Sequence, residues 1–247
     1  MEFARRIFES SYKKLALNYI DLAGKVKYNY PMVITWYGLS CFKISSGDLT
    51  LVTDPFSKAV GLVPPRMQTD LVVISNIQNS AYNNQDSLRG EETFVVDGPG
   101  EFDIKGLYIH GISASGEAKG KLNGFDYTTI YAIDFEGIAL GFLGSLKQKD
   151  LTERQLDDLG EVDILFVPVG GEVVCDAEEA VRIVNQIEPR VVIPMHYAQK
   201  GLKLPLDKID LFLKEIGAKS SPQDRLTIKK SELSTLESHV VLLEPQR

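Results

Sequence analysis

This chain is poor in the residues that usually build reactive or cross-linked sites. Its 247 residues include three histidines (His110, His196 and His239), two cysteines (Cys41 and Cys175), four methionines and one tryptophan. Two cysteines cannot make a disulfide framework or a cysteine-based zinc knuckle, so the expected compartment is the cytoplasm. No apolar run approaches the roughly 20 residues of a membrane-spanning helix. The start carries no charged-then-apolar signal pattern either. Positive charge is also short: Lys+Arg total 27 against Asp+Glu 34, a net charge of −7. That excludes a generic polyanion binder and makes nucleic acid an unattractive partner. What remains is ordinary globular material, 44% hydrophobic and 25% charged, in a chain long enough to bury a sizeable core.

The charge is divided unevenly. Residues 1–31 hold six basic and three acidic side chains, a balance of +3, which leaves −10 for residues 32–247. The apolar positions Phe3, Ile7, Phe8, Leu15, Tyr19 and Ile20 predict an amphipathic helix over Glu2–Leu22, stopped at Gly24. Such a basic leader can lie on a membrane surface or pack on a second copy or a protein partner, and the plainer reading is that it packs on its own domain.

Beyond Pro31 the texture turns to strands. The runs Met32–Trp36, Cys41–Ser45, Leu49–Thr53, Leu71–Ile74, Thr93–Val96, Leu107–His110, Tyr127–Ile133 and Ile138–Leu143 read as β. Helix and strand then alternate. Thr152 and Gln155 have capping-box spacing, and Asp176 with Glu179 starts a helix that Pro189 ends. Ile164–Val169, Val191–Ile193, Arg225–Lys229 and His239–Leu243 read as strands, and Ile209, Phe212, Leu213 and Ile216 share one helix face. The expectation is a leader over 1–31 and a single α/β domain over 32–247.

Several phrases, in this order, carry a resemblance: Ile34-Thr-Trp-Tyr-Gly-Leu-Ser-Cys-Phe42, Thr53-Asp-Pro-Phe56, Asp70-Leu-Val-Val-Ile-Ser75, Pro99-Gly-Glu-Phe102, Leu143-Gly144, Val167-Pro-Val-Gly-Gly171 and Pro194-Met-His-Tyr197. Together they resemble the metallo-β-lactamase fold superfamily, in the branch similar to ascorbate-phosphate lactonases and small bacterial metal-dependent hydrolases. The resemblance spans about residues 32–245. It implies an αββα sandwich, two packed mixed β-sheets flanked by helices, with a metal site on loops at the sheet edges. Zinc is the cofactor the family leads one to expect, held by imidazole and carboxylate groups and supplying activated water.

Position by position, the ligands of that pattern are missing. Where the family has Ser-His-x-His-x-Asp-His, this chain has Ser75-Asn76-Ile77-Gln78-Asn79-Ser80-Ala81. Asn76 and Gln78 replace the first two histidines, Ser80 the aspartate and Ala81 the third histidine. A further histidine falls near Gly116, the bridging aspartate becomes Ser145, and the histidine of the early Gly-His-Ser phrase becomes Leu39. His196 is the one ligand retained, with Asp54 as a supporting carboxylate. His110 and His239 read as structural residues, Cys41 and Cys175 as packing residues, and Gly98-Pro-Gly-Glu101 as a turn.

The leading expectation is therefore a catalytically degenerate member with a binding, scaffold or regulatory role and no bound metal. Neutral polar residues at the vacated positions either satisfy one another or bind a small polar ligand such as a sugar or nucleoside. The alternative is a hydrolase of small phosphoesters or lactones using an atypical site around Asp54, Ser145 and His196.

Overall fold

A computed structural model describes residues 18–20, 26–28, 30–79, 82–89, 93–115, 127–233, 235–236 and 239–246. Two short strands, β1 (Asn18–Ile20) and β2 (Val26–Tyr28), pair antiparallel ahead of the main body. This corrects the far end of the expected leader helix. Tyr19 and Ile20 are residue types that favour extended backbone, and pairing with Val26–Tyr28 fixes them there. The rest of that expected helix, and its stop at Gly24, lie outside the described residues.

The main body opens with the antiparallel strands β3 (Met32–Gly38), β4 (Cys41–Ser46) and β5 (Leu49–Thr53). There follow β6 (Met67–Gln68), β7 (Leu71–Val73), β8 (Leu88–Arg89), β9 (Phe94–Val96) and β10 (Gly100–Ile104). A long hairpin of β11 (Leu107–Ser115) and β12 (Tyr127–Phe135) continues into β13 (Ile138–Phe142). Then come α1 (Glu153–Leu159), β14 (Ile164–Pro168), α2 (Ala177–Ile187), β15 (Val191–Met195) and α3 (Ile209–Glu215). The chain closes with β16 (Leu226–Ile228), α4 (Lys230–Leu233) and β17 (His239–Val240). The expected final strand is thus shorter than His239–Leu243, and Leu243 makes only a single bridge to Gln223.

These strands form a six-stranded sheet in the order β16-β3-β4-β5-β7-β9 and a seven-stranded sheet in the order β10-β11-β12-β13-β14-β15-β17. Alternation along β3 explains how they stack. Met32, Ile34 and Trp36 point into the core while Val33, Thr35 and Tyr37 stay half-buried. Phe42 of the first sheet meets Phe166 of the second edge-on, with ring centroids 4.7 Å apart. Helix α1 packs on β11 and β12, and α2 packs on β14. The opposite face of the six-stranded sheet carries a second apolar cluster of Leu39, Cys41, Val52, Phe56, Val60, Val72, Ile74 and Tyr82. Among the described residues it is covered by coil segments bearing Leu62, Leu202, Leu204 and Leu206 rather than by an α-helix. This is the expected mixed α/β sandwich.

The strands that matter for a site run parallel: β5 with β7, and β13 with β14 and β15. Of these, β7, β14 and β15 are buried along their whole length, so they read as unbroken apolar runs. Their C-terminal ends lie together at one rim of the sandwich, and the chain's remaining polar signature sits on the residues just beyond them.

Candidate functional site

Four strand ends deliver the site. Asp54 follows β5, Ser75 lies two residues beyond β7, Ser145 lies three beyond β13, and His196 follows β15. The turn between β3 and β4 adds Leu39 and Ser40. All six side chains are buried.

Two hydrogen-bonded groups result. In the first, Asp54 accepts from the Ser75 backbone N–H and from the Ser75 hydroxyl, each at 2.7 Å. The Ser75 hydroxyl oxygen in turn accepts from the Ser145 N–H at 3.3 Å. Thr128 donates to the Ser75 carbonyl at 3.0 Å, so its own oxygen is left to accept from the Ser145 hydroxyl at 3.2 Å. The chain Asp54–Ser75–Ser145–Thr128 therefore crosses from one sheet to the other. In the second group, His196 Nε2 stands 3.2 Å from the Tyr82 hydroxyl, and the two rings meet edge to face. Nδ1 of His196 is buried and has no hydrogen-bond partner among the described residues.

Backbone conformation marks the same place. Leu39, Asp54 and His196 have φ of 48, 36 and 58°, the left-handed region that non-glycine residues rarely adopt. They are locked by contacts: the Leu39 carbonyl accepts from the His196 N–H at 3.0 Å and from the Trp36 indole at 2.9 Å. Strain of this kind collects at active sites and persists only where the surroundings over-determine it. Gly144 is required for a different reason. A Cβ there would lie 2.1 Å from the Ser75 Cβ, so only glycine lets the two sheet ends approach this closely.

Burial sets the electrostatics. It pushes the Asp54 carboxyl up to about 6, against the two hydrogen bonds from Ser75 that favour the ionised form. Burial alone pulls His196 down to about 3, which keeps its imidazole neutral at physiological pH. The Tyr82 hydroxyl is raised, first by burial and then by the Asp54 charge.

The residues singled out in the sequence are now placed. Asp54 and Ser145 share one network, while His196 belongs to the other and bonds neither of them. Asn76 is half-buried and caps its own turn, accepting from the Asn79 N–H at 3.2 Å. Gln78 is half-buried in the same turn. Ser80, Ala81 and Gly116 lie outside the described residues. His110 sits on β11 with its Nδ1 3.2 Å from the Asp158 carbonyl. His239 pairs with Val191, at the opposite end of β15 from His196. Cys41 and Cys175 are both free and buried, and burial raises both thiols. Tyr82, Ser75 and Thr128 are site residues that the sequence reading did not single out. Tyr82 follows directly on the Ser75–Ala81 phrase, which was the available signal.

A zinc site needs three or four strong donors converging on one point. The described side chains bring one neutral imidazole and one carboxylate, and the others offer hydroxyl or amide groups. Among the described residues no three His, Cys, Asp or Glu side chains converge. This donor set does not suit zinc, and the oxygens present are too weakly charged for a magnesium or calcium cage.

Comparison with known proteins places this geometry. Residues 33–196 match the model of the β-lactamase superfamily domain. A UPF0173 protein of Pyrococcus abyssi is 30% identical over 188 residues, 69% of this chain and 85% of the relative. A UPF0173 metal-dependent hydrolase of Bacillus subtilis is 19% identical over 194 residues, 67% of this chain and 86% of the relative. Among solved structures, a proposed Zn-dependent hydrolase of the metallo-β-lactamase superfamily from Thermotoga maritima superposes with a TM-score of 0.69. That structure is 30% identical, with 87% of this chain and 100% of the other covered. No described helix is long and apolar enough to cross a membrane.

Proposed function

The chain belongs to the β-lactamase superfamily domain family, and on that footing we propose that it is a member whose hydrolytic centre has become a closed polar core. Its role is then binding, scaffolding or regulation in the cytoplasm. One observation carries this reading: His196, the retained ligand of the family pattern, is fully buried and its Nε2 already faces the Tyr82 hydroxyl at 3.2 Å. The binding element we propose is the segment 1–31, whose apolar residues and +3 balance suit a second copy or a protein partner with an acidic surface. A neutral polar small molecule is the other ligand class that suits the Asn76 and Gln78 turn.

A second reading has specific support. Relatives over two thirds of the chain are named metal-dependent hydrolases, and the Thermotoga structure shares 30% identity. On this reading the chain hydrolyses small phosphoesters or lactones around Asp54, Ser145 and His196. Against it, the Ser145 hydroxyl bonds Thr128 rather than an imidazole, so it lacks the adjacent base that would activate it.

The full chain should be assayed on phosphodiester, phosphomonoester and lactone substrates with added Zn, Mn, Mg or Fe, beside light scattering of wild type and Ile7→Asp/Phe8→Asp. No turnover, with a smaller assembly or a lost partner in the variant, is the expected result. Metal-stimulated turnover abolished by His196→Asn would establish the hydrolase instead.

A further inference from the structure

The rim of this sandwich holds strained turns that a metal would ordinarily tie together, so something in this chain must tie them instead. We propose that Tyr82 does so: its hydroxyl occupies the coordination direction of His196 and fixes the β15 end against the opposite sheet. The inference deepens the non-hydrolytic reading above and rests on it.

Three features lead to Tyr82. First is distance. A metal bonds an imidazole nitrogen at about 2.0–2.1 Å, so an ion on Nε2 would stand about 1 Å short of the phenol oxygen. The two cannot coexist on one nitrogen. Second is location. The ring is buried among Leu39, Cys41, Phe56, Val60 and Ile74, so apolar packing holds the hydroxyl in place. Leu39 itself occupies a ligand position of the family pattern, and its carbonyl receives the His196 N–H. Third is reach. The bond joins residues 114 positions apart, linking the loop after β7 to the end of β15. The Asp54–Ser75–Ser145–Thr128 chain makes a parallel link between β5, β7, β13 and β12. Between them they span the strand ends that a bound metal would gather. Tyr82 is a positioning residue here, acting on His196 and through it on the Leu39 turn.

The test is a double-mutant cycle on the full, chelator-treated chain with Tyr82→Phe, His196→Asn and the double variant. Each single change should lower Tm by roughly 2–6 °C, the loss of one buried hydrogen bond in a chain of this size. The double variant should melt no lower than the worse single one, since the two remove the same contact. Imidazole nitrogen NMR on Tyr82→Phe supplies a readout that general destabilisation would not move, and it holds even where His196→Asn does not fold. The His196 resonances should shift as Nε2 loses its partner. Additive melting effects, or a His196 spectrum unchanged in Tyr82→Phe, would overturn the role of Tyr82 while leaving the non-hydrolytic reading intact. Stoichiometric zinc in the wild-type chain would overturn that reading through a separate measurement.

Discussion

At the scale of single residues, the site is governed by burial more than by charge. Asp54 is held protonated to higher pH in the folded chain, about 6 against an ordinary 3.8. The folded state therefore binds more protons than the unfolded one across that window, and this residue's contribution to stability falls as pH rises through it. His196 acts in the opposite sense. Its imidazole protonates only near 3 when folded but at 6.5 when unfolded, so its contribution is present above 6.5 and is lost as pH falls. The two oppose each other between about 4 and 6, which should leave the wild type with a shallow pH profile there. Asp54→Asn removes one of them, and its stability should climb with pH across that interval by an extra 2–3 kcal/mol or so. Chemical denaturation at stepped pH reads this directly, and a parallel profile for the two proteins would contradict it. Gly144→Ala should be among the most damaging small substitutions, on the order of 2–4 kcal/mol, because it combines a clash with the Ser75 side chain with a left-handed φ of 53°. A thermal melt should drop by about 5–12 °C. Asp54, His196 and Ser145 were legible in the sequence because the first two fall inside an ordered phrase and Ser145 directly follows one. Tyr82 was not, since a partner 114 residues away leaves no local periodicity to find.

At the scale of elements, local chemistry and pairing divide the work. The Asp176 side chain accepts from the Glu179 N–H at 2.8 Å and Glu179 reaches back to the Asp176 N–H at 3.1 Å, a complete capping box on α2. Asp176→Ala should cost about 1 kcal/mol, a fall of roughly 2–4 °C in Tm. A loss beyond twice that would mean that α2 also supports the loop at Gly170 and Gly171. Such capped helices announce themselves in sequence, and so do doubly buried strands such as β14. The element β10, Gly-Glu-Phe-Asp-Ile, did not, because its opening Gly100 and Glu101 also read as part of a turn, a competing local signal that the pairing with β11 overrides. The same reason hid β1. A 3.6-residue pattern drawn through Tyr19 and Ile20 competes with a cross-strand partner at Val26–Tyr28, and the partner decides.

At the scale of the whole molecule, the fold was legible because seven phrases in fixed order outweigh any one of them. Their order followed from the parallel strands whose ends meet at one rim. The function was harder to read because the family and the site geometry point in different directions. A family fold and relatives named metal-dependent hydrolases suggest metal chemistry, whereas a buried imidazole capped by a phenol suggests its replacement. The measurement that weighs most directly on this is elemental analysis of the full chain purified from zinc-supplemented medium, paired with its melt before and after chelation. Substoichiometric metal and an unchanged Tm are the predicted result. Stoichiometric zinc whose removal lowers Tm would contradict it.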